Sequence, residues 1–239
     1  PVWETLPEAS PTVAKQRGAE PGFDDWYRAN VVDHRTPGYA IVNLSLKSPG
    51  IAPGDLTADQ MDKVADLAER FSLGELRVSH RQNLVFPDVQ QQDLHTLCQE
   101  LGDLSLATPN IGQLTDIIAC PGLDFCALAN ARAIPVAQDI GRHFSDAAAL
   151  QDIGELTINI SGCMNACGHH HVGHIGILGV EKNGQEFYQL TLGGSSGEDA
   201  SLGDRLGRSI SAAEVPPAIE AIVECYKSLR LAGERFLDT

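Results

Sequence analysis

The chain has 239 residues, with 17 Lys and Arg against 32 Asp and Glu, and a formal net charge of −15 at pH 7. This length suffices for one large domain or two modest ones with their own cores. The negative charge repels phosphate backbones and no basic stripe offsets it, so we expect no nucleic-acid partner. No apolar run reaches the roughly 18 residues of a membrane span and no secretory leader opens the chain, so we expect a cytoplasmic protein without a membrane partner.

Residues 1–35 contain many prolines and glycines and show no lasting apolar periodicity, which indicates a linker or extended arm. Trp3 and Trp26 are unusual in a free linker, because large aromatic side chains usually pack against other groups. We therefore expect the arm to lie along a surface. The chain begins at Pro1 without an initiator Met, which suggests a fragment or a processed product.

Residues 36–108 predict a small unit with the element order β-α-β-β-α, which is typical of a ferredoxin-like α+β fold. The helix after the first strand opens with a capping box, Thr57 to Gln60, and closes at Gly74. The predicted elements are residues 39–46, 57–74, 75–79, 83–86 and 90–101. The loop at 79–83 is either a polar hairpin connection, which we favour on this stretch alone, or a contact to an anion or cofactor.

Residues 109–239 predict a second unit, a mixed α/β lobe. Strands are expected at residues 111–119 and 156–160 and in a hairpin of 174–180 with 186–192, and helices at 123–133, 135–149 and 215–231. Lys182-Asn183-Gly184 is a strong hairpin-turn signal. The unit contains two cysteine pairs, and each pair stands at the end of a predicted strand.

The chain has six cysteines, but its size and the missing secretion signal point to a reducing compartment rather than to disulfides. Cys98 and Cys225 lie beside apolar residues in segments that look helical. We interpret these two as buried thiols that act as small hydrophobic side chains.

The other four cysteines form two pairs. Five residues separate Cys120 from Cys126, and three separate Cys163 from Cys167. Four thiolates from two short segments are what a [4Fe–4S] cluster requires. A structural zinc site favours gaps of two to four residues, which only the second pair has, but nearby histidines offer a Cys2His2 alternative. Those histidines are His169, His170, His171 and His174. The spacings favour a cluster and leave zinc open.

The first cysteine pair has the pattern Cys-x5-Cys. After 36 residues, the last of which is Gly162, the second pair has the pattern Cys-x-Asn-x-Cys. Together the two patterns closely resemble the sirohaem and [4Fe–4S] signature of the sulfite and nitrite reductase haemoprotein family. Arg81-Gln82-Asn83 is similar to a stretch in that family's ferredoxin-like repeat, and residues 190–197 are similar to its Gly-rich strand end. Met164 departs from the family pattern, which usually has proline there. The resemblance covers residues 35–230 and implies a ferredoxin-like half-repeat followed by a sirohaem- and cluster-binding lobe.

The resemblance also implies roles for individual residues. The cluster ligands would be Cys120, Cys126, Cys163 and Cys167. Cys167 would in addition be the axial ligand of the sirohaem iron and so join the two cofactors. Asn165, Arg81 and Asn83 would contact the sirohaem or its anionic groups. For the histidines we favour a packed or hydrogen-bonded polar loop over a proton relay.

The function that the resemblance implies is the six-electron reduction of sulfite to sulfide. Nitrite reduction on the same scaffold is the alternative, and a non-catalytic zinc-binding module is a further one. The chain resembles the C-terminal half of the family's working protein, so we expect the missing N-terminal half as a partner. We also expect ferredoxin or a flavoprotein as electron donor, and no turnover by this chain alone.

Overall fold

The computed structural model describes residues 3–4, 6 and 11–239. It divides into two compact units. Unit 1 holds the described residues up to Ser48 together with Gly54–Ile111, and unit 2 holds Pro49–Pro53 and Gly112–Thr239. None of the helices in the described ranges is both long and apolar enough to cross a membrane.

Unit 1 is an antiparallel sheet packed against helices. Its elements are α1 (Pro11–Ala19), α2 (Pro21–Asn30), β1 (Val31–Asp33), β2 (Tyr39–Leu44), α3 (Ala58–Phe71), β3 (Arg77–Val78), β4 (Leu84–Gln90) and α4 (Leu94–Asp103). The strand order in the sheet is β1-β2-β4-β3, with every pair antiparallel. The series β2-α3-β3-β4-α4 is the predicted ferredoxin-like order, so the fold prediction is confirmed.

The helix ends of unit 1 follow local sequence signals. The Thr57 side chain accepts a bond from the Gln60 N–H, and the Gln60 side chain accepts one from the Thr57 N–H, which completes the predicted capping box. Gly74 has φ of +74° and donates its N–H to the Ala68 carbonyl just past the end of α3. The apolar faces of α3 and α4 meet the sheet through Leu67 and Leu97.

The prediction of a linker over residues 1–35 is wrong for the part that the structure describes continuously. Residues from Pro11 onward form α1, α2 and β1, and Val13, Phe23 and Trp26 belong to the core of unit 1. The Trp3 indole N–H donates to the Asp88 carboxylate over 2.7 Å. Proline misled the prediction, because Pro21 stands in the first turn of α2, where it favours a helix. Residues 1–2, 5 and 7–10 of the predicted arm lie outside the described residues.

Unit 2 is a mixed sheet flanked by helices. Its elements are β5 (Ile118–Ala119), α5 (Ile134–His143), α6 (Ala147–Ile153), β6 (Ile158–Ser161), β7 (Ile175–Lys182), β8 (Gln185–Leu192), β9 (Asp204–Ile210) and α7 (Val215–Leu229). The strand order is β5-β6-β7-β8-β9, parallel from β5 to β7 and antiparallel from β7 to β9. Strand β9 was not predicted, because its residues are mostly exposed and polar and give no apolar alternation.

Four further predictions in unit 2 need correction. The strand predicted over residues 111–119 forms only at Ile118–Ala119, and the residues before it are turns and bends. Residues 123–133 are not a helix, and apart from a 3-10 turn at Gly122–Asp124 they contain no helical turn. The helix predicted over 135–149 is interrupted before Asp146, whose carboxylate caps α6. Cys225 is exposed rather than buried, and lies in an apolar cavity of about 800 Å³ between α7 and the C-terminal residues.

Candidate cofactor site

Cys120 and Cys163 lie side by side because they follow two paired parallel strands. Ala119 at the end of β5 pairs with Ile160 of β6, and the Cys120 N–H donates to the Ile160 carbonyl over 3.1 Å. Both thiols are buried. Since the carboxyl ends of parallel strands share one edge of a sheet, the sheet brings the first cysteine of each pair to that edge.

The second cysteine of each pair lies in a tight turn after the first. The Cys126 N–H donates to the Gly122 carbonyl over 2.9 Å, which folds the first loop back on itself. In the second loop Ala166 adopts φ of +57°, and its N–H donates to the Cys163 carbonyl. Cys126 is half-buried and Cys167 is exposed. Each loop thus presents one buried and one more accessible thiol.

The segment of residues 129–133, which we call the bracing segment, holds the two cysteine loops together. The N–H groups of Asn130 and Ala131 both donate to the Gly162 carbonyl over 2.9 Å, and the Ala131 carbonyl accepts the Leu123 N–H over 3.1 Å. These amides bond across to the other loop rather than to carbonyls four residues earlier, which explains why no helix forms here.

Glycine at position 162 is required by this close approach. A Cβ atom added there would lie 2.6 Å from the Ala131 carbonyl oxygen and 2.8 Å from the Gly122 Cα. Both are backbone atoms that have no room to move aside. The Gly162 N–H also donates to the Cys120 Sγ over 3.0 Å. Hydrogen bonds of this kind stabilise a thiolate, which is the form that binds metal.

Large apolar side chains are exposed on the cysteine loops. Phe125 and Met164, one on each cysteine loop, are 82% and 80% exposed, and Leu128 is also exposed. Large apolar side chains at such exposure are typical of a surface that a ligand or another chain covers. A four-thiolate donor set beside an apolar rim fits an iron–sulfur cluster and an adjoining macrocycle.

A single metal ion fits the residues less well. Within the described ranges, no three Cys, His, Asp or Glu side chains lie close enough to hold one metal ion. A structural zinc site needs four ligands within bonding distance of one ion. In a cubane cluster each thiolate ligates its own iron, so its sulfurs stand farther apart. Within the described ranges the structure thus shows no preformed site for a single metal ion.

The histidines after Cys167 differ in their surroundings. His170 is buried and lies against His171, with ring centroids 3.9 Å apart and the rings tilted by 32°. Burial, and next the neighbouring His171, lower the pKa of His170 to about 4, so its imidazole is neutral near pH 7. The His174 Nδ1 accepts the Thr157 N–H, and its ring stacks on Phe236. His170 and His174 are thus packed side chains, which agrees with the reading favoured from the sequence.

The two candidate residues in unit 1 have structural partners there. The Asn83 side chain is buried, and its Oδ1 accepts bonds from the Leu46 N–H and from Lys47 Nζ, over 3.1 and 2.8 Å. The Arg81 carbonyl also accepts a bond from Lys47 Nζ. The sequence analysis missed Lys47, although a lysine beside Leu46 at the end of an apolar strand was a usable signal. Asn165, between two cysteines in unit 2, is exposed.

The sequence analysis also missed the bracing segment and the β8 residues that contact it. Glu186 Oε2 accepts the Arg132 N–H over 2.7 Å, and the Tyr188 hydroxyl donates to the Arg132 carbonyl over 2.9 Å. Both residues point to one face of β8, because side chains two apart in a strand do so. An acidic residue and a tyrosine two residues apart in a strand that also contains other polar residues gave only a weak signal.

Comparison with known families assigns both units. Residues 35–104 match the nitrite/sulfite reductase ferredoxin-like half domain. Residues 112–239, more than half of the chain, match the nitrite and sulphite reductase 4Fe-4S domain. These matches imply a [4Fe–4S] cluster and sirohaem as the cofactors.

Individual proteins show the same relationship. The chain is 32% identical to the assimilatory ferredoxin-dependent nitrite reductase of Haloferax mediterranei, covering 86% of this chain and 35% of that protein. It is 30% identical to sulfite reductase [ferredoxin] 2 of Mycolicibacterium paratuberculosis, covering 87% and 39%. The chain thus spans between about a third and two fifths of the length of these relatives.

Solved structures give the same picture. The NirA protein of Mycobacterium tuberculosis superposes with a TM-score of 0.70 at 27% identity, covering 87% of this chain and 39% of that one. Dissimilatory sulfite reductase I superposes with a TM-score of 0.71 at 13% identity, covering 84% and 66%, which shows a shared fold. On the strength of the two family matches, the chain belongs to the nitrite and sulfite reductase family.

Proposed function

We propose that this chain supplies the cluster- and sirohaem-binding part of an enzyme that reduces sulfite or nitrite by six electrons. The observation that carries the proposal is the pairing of β5 with β6, which brings Cys120 and Cys163 together with a Gly162 N–H aimed at the Cys120 sulfur. The relatives' names divide between the two anions, so sulfite and nitrite are both carried forward.

In this proposal the cluster ligands are Cys120, Cys126, Cys163 and Cys167. The four thiols differ in exposure, and this supports different roles for them. Cys120 and Cys163 are buried and would hold the cluster from the protein side, whereas the exposed Cys167 can reach a second cofactor. We therefore assign Cys167 as the thiolate shared with the sirohaem iron.

When bound, the cluster and sirohaem supply electron transfer and a site for the anion. The chain's own residues bind and orient these groups. The Gly162 N–H orients the Cys120 sulfur, and the exposed Phe125 and Met164 offer apolar surface for the macrocycle to cover. Asn165 stands on the second cysteine loop, where we propose that it positions the macrocycle. His170 is neutral near pH 7 and so is not proposed as a source of protons.

Arg81 and Asn83 are proposed contacts of a different kind. Asn83 and Lys47 hold the loop between β3 and β4 in place through buried bonds. We propose that the Arg81 guanidinium, carried on this loop, contacts an anionic group of the sirohaem, and that Asn83 acts by fixing the loop. An R81A variant of the longer protein would then bind sirohaem more weakly.

Partners are also part of the proposal. Each of the two relatives is named for ferredoxin as well as for its substrate, and on that basis we propose ferredoxin as the electron donor. We propose an N-terminal partner region that completes the substrate site, since the chain spans only 35 to 39% of those relatives. Six free cysteines support a cytoplasmic location.

Anaerobic reconstitution of the chain with iron and sulfide tests the cluster. We expect about four irons per chain and the visible and EPR spectra of a [4Fe–4S] centre. A chain that binds one zinc ion and no iron would overturn the proposal. Steady-state kinetics with sulfite and with nitrite, on a protein that contains this chain and the N-terminal region, would identify the substrate. We expect no turnover of either anion by the reconstituted chain alone.

A further inference from the structure

The bracing segment is hydrogen-bonded to both cysteine loops, but few hydrogen bonds form within the segment itself. Its Asn130 and Ala131 amides hold Gly162, the residue before Cys163, and its Ala131 carbonyl holds Leu123 in the loop of Cys120 and Cys126. Ala131 is fully buried, and a Cβ added at Gly179 on β7 would lie 2.7 Å from the Ala131 Cβ. Any shift of this segment therefore moves the two loops relative to each other.

Strand β8 fixes the bracing segment through a single residue, Arg132. The Arg132 N–H donates to Glu186 Oε2 over 2.7 Å, and the Arg132 carbonyl accepts the Tyr188 hydroxyl over 2.9 Å. The same hydroxyl lies 3.2 Å from Glu186 Oε2. Both main-chain polar groups of Arg132 are thus bound by side chains of the β7–β8 hairpin, whose eight residue pairs are in continuous register.

Tyr188 and Glu186 are chemically suited to hold the main chain of Arg132 in a fixed position. Tyr188 is buried, and burial together with the Glu186 charge holds the pKa of its hydroxyl well above the usual range. The hydroxyl therefore keeps its proton and remains a donor. The Arg132 side chain is 58% exposed, and its ion pairs to Asp124 and Glu186 are 3.5 and 3.7 Å long. Such exposed pairs contribute little, so the main-chain bonds carry the anchoring.

We infer that Tyr188 and Glu186 are positioning residues for the cluster, because through Arg132 they set the separation of the two cysteine loops. The inference rests on the proposed function for its cofactor. Partners that orient metal ligands from outside the coordination shell affect metal affinity by about 10- to 100-fold. Here Tyr188 and Glu186 act indirectly. They bind Arg132, and the bracing segment that contains Arg132 binds both cysteine loops.

The test compares four variants of the full chain. Y188F removes the donor to the Arg132 carbonyl, and E186A removes the acceptor for the Arg132 N–H. E186Q keeps an oxygen acceptor without the charge. Y226F is the matched control, because the Tyr226 hydroxyl is also a buried group that donates to a main-chain carbonyl in unit 2, that of Glu234 over 3.0 Å. No cysteine loop is involved in that bond.

The readouts are the loss of cluster iron to a chelator, the EPR spectrum and the thermal stability. We expect Y188F and E186A to lose iron about tenfold faster than the wild type and to show altered EPR g values. We expect E186Q to behave like the wild type, and Y226F to lower thermal stability without changing either cluster property. Wild-type iron loss and EPR in Y188F, or an equal effect of Y226F, would overturn the inference.

Amide hydrogen exchange in the cofactor-free chain separates this inference from the proposed function. We expect the amides of Leu123, Asn130 and Ala131 to exchange faster in Y188F than in the wild type or Y226F. If the wild type binds no cluster, the proposed function fails, and this exchange pattern still decides whether Tyr188 braces the loops. Unchanged exchange at these amides in Y188F would overturn the bracing role itself.

Discussion

The main-chain N–H of Gly162 donates a hydrogen bond to the Sγ atom of Cys120 over 3.0 Å. The bond connects the residue before Cys163 with the first cysteine of the other loop, so each loop helps to orient the other. It also fixes the direction in which the Cys120 side chain points. Gly162 thus allows the backbones to approach closely and also holds the Cys120 side chain in place.

The substitution G162A is expected to break this arrangement. Its Cβ would clash with the Ala131 carbonyl oxygen and the Gly122 Cα, and overpacking of this kind costs about 1–3 kcal/mol. We expect a corresponding loss of unfolding free energy in urea and failure to assemble a cluster. G197A is the control, since a Cβ at Gly197 meets only the Ser195 hydroxyl at 3.6 Å. A stable, cluster-loaded G162A chain would show that the junction tolerates a side chain.

Replacement of cysteines by serine distinguishes ligands from bystanders. We expect C126S and C167S to lose most of the iron after reconstitution, because each removes a thiolate that a cubane requires. C225S is expected to keep full iron content, because the exposed Cys225 lies in an apolar cavity that none of the other five cysteines lines. Iron analysis and EPR provide the measurement. Full iron in C126S would remove Cys126 from the ligand set.

The buried His170 predicts a dependence of stability on pH. Its pKa is about 4 in the folded chain and near 6.5 when exposed, so the unfolded chain binds the extra proton between these values. This contribution to stability is present above pH 6.5 and is lost as the pH falls toward 4. We expect the urea midpoint of the wild type to fall between pH 7 and pH 5, and that of H170Q to fall less.

The exposed His143 provides the control for this measurement. The H143Q substitution removes an exposed imidazole and leaves His170 in place, so it controls for the loss of a histidine as such. If H170Q and the wild type showed the same pH dependence, burial of His170 would not be its source.

A substitution at Trp26 tests whether the N-terminal residues are part of the folded core of unit 1. It is buried in the core of unit 1, so we expect W26A to lower the free energy of unfolding by about 3–5 kcal/mol. V32A, at an exposed position on β1, is expected to change it by about 0.5 kcal/mol or less. Urea unfolding followed by circular dichroism gives both values. Equal effects of the two substitutions would support a loosely attached arm instead.

Local signals were sufficient where a structure depends on neighbouring residues. The capping box at Thr57 and Gln60 forms as predicted, because both bonds lie within one turn of chain. The β7–β8 hairpin forms because Asn183 and Gly184 accept the positive φ angles of its tight turn, +53° and +77°. The ferredoxin-like order of unit 1 follows from such local elements taken in sequence.

The sequence by itself determined the four thiols, their two spacings and the strand that leads toward Cys163, since these depend on residue type and short-range pattern. Only the tertiary structure decided the path of residues 129–133. Their amides bond to Gly162 across the junction instead of forming a helix, and Glu186 and Tyr188 hold them from a strand more than 50 residues away. Such bonds join residues distant in sequence, so no local pattern specifies them.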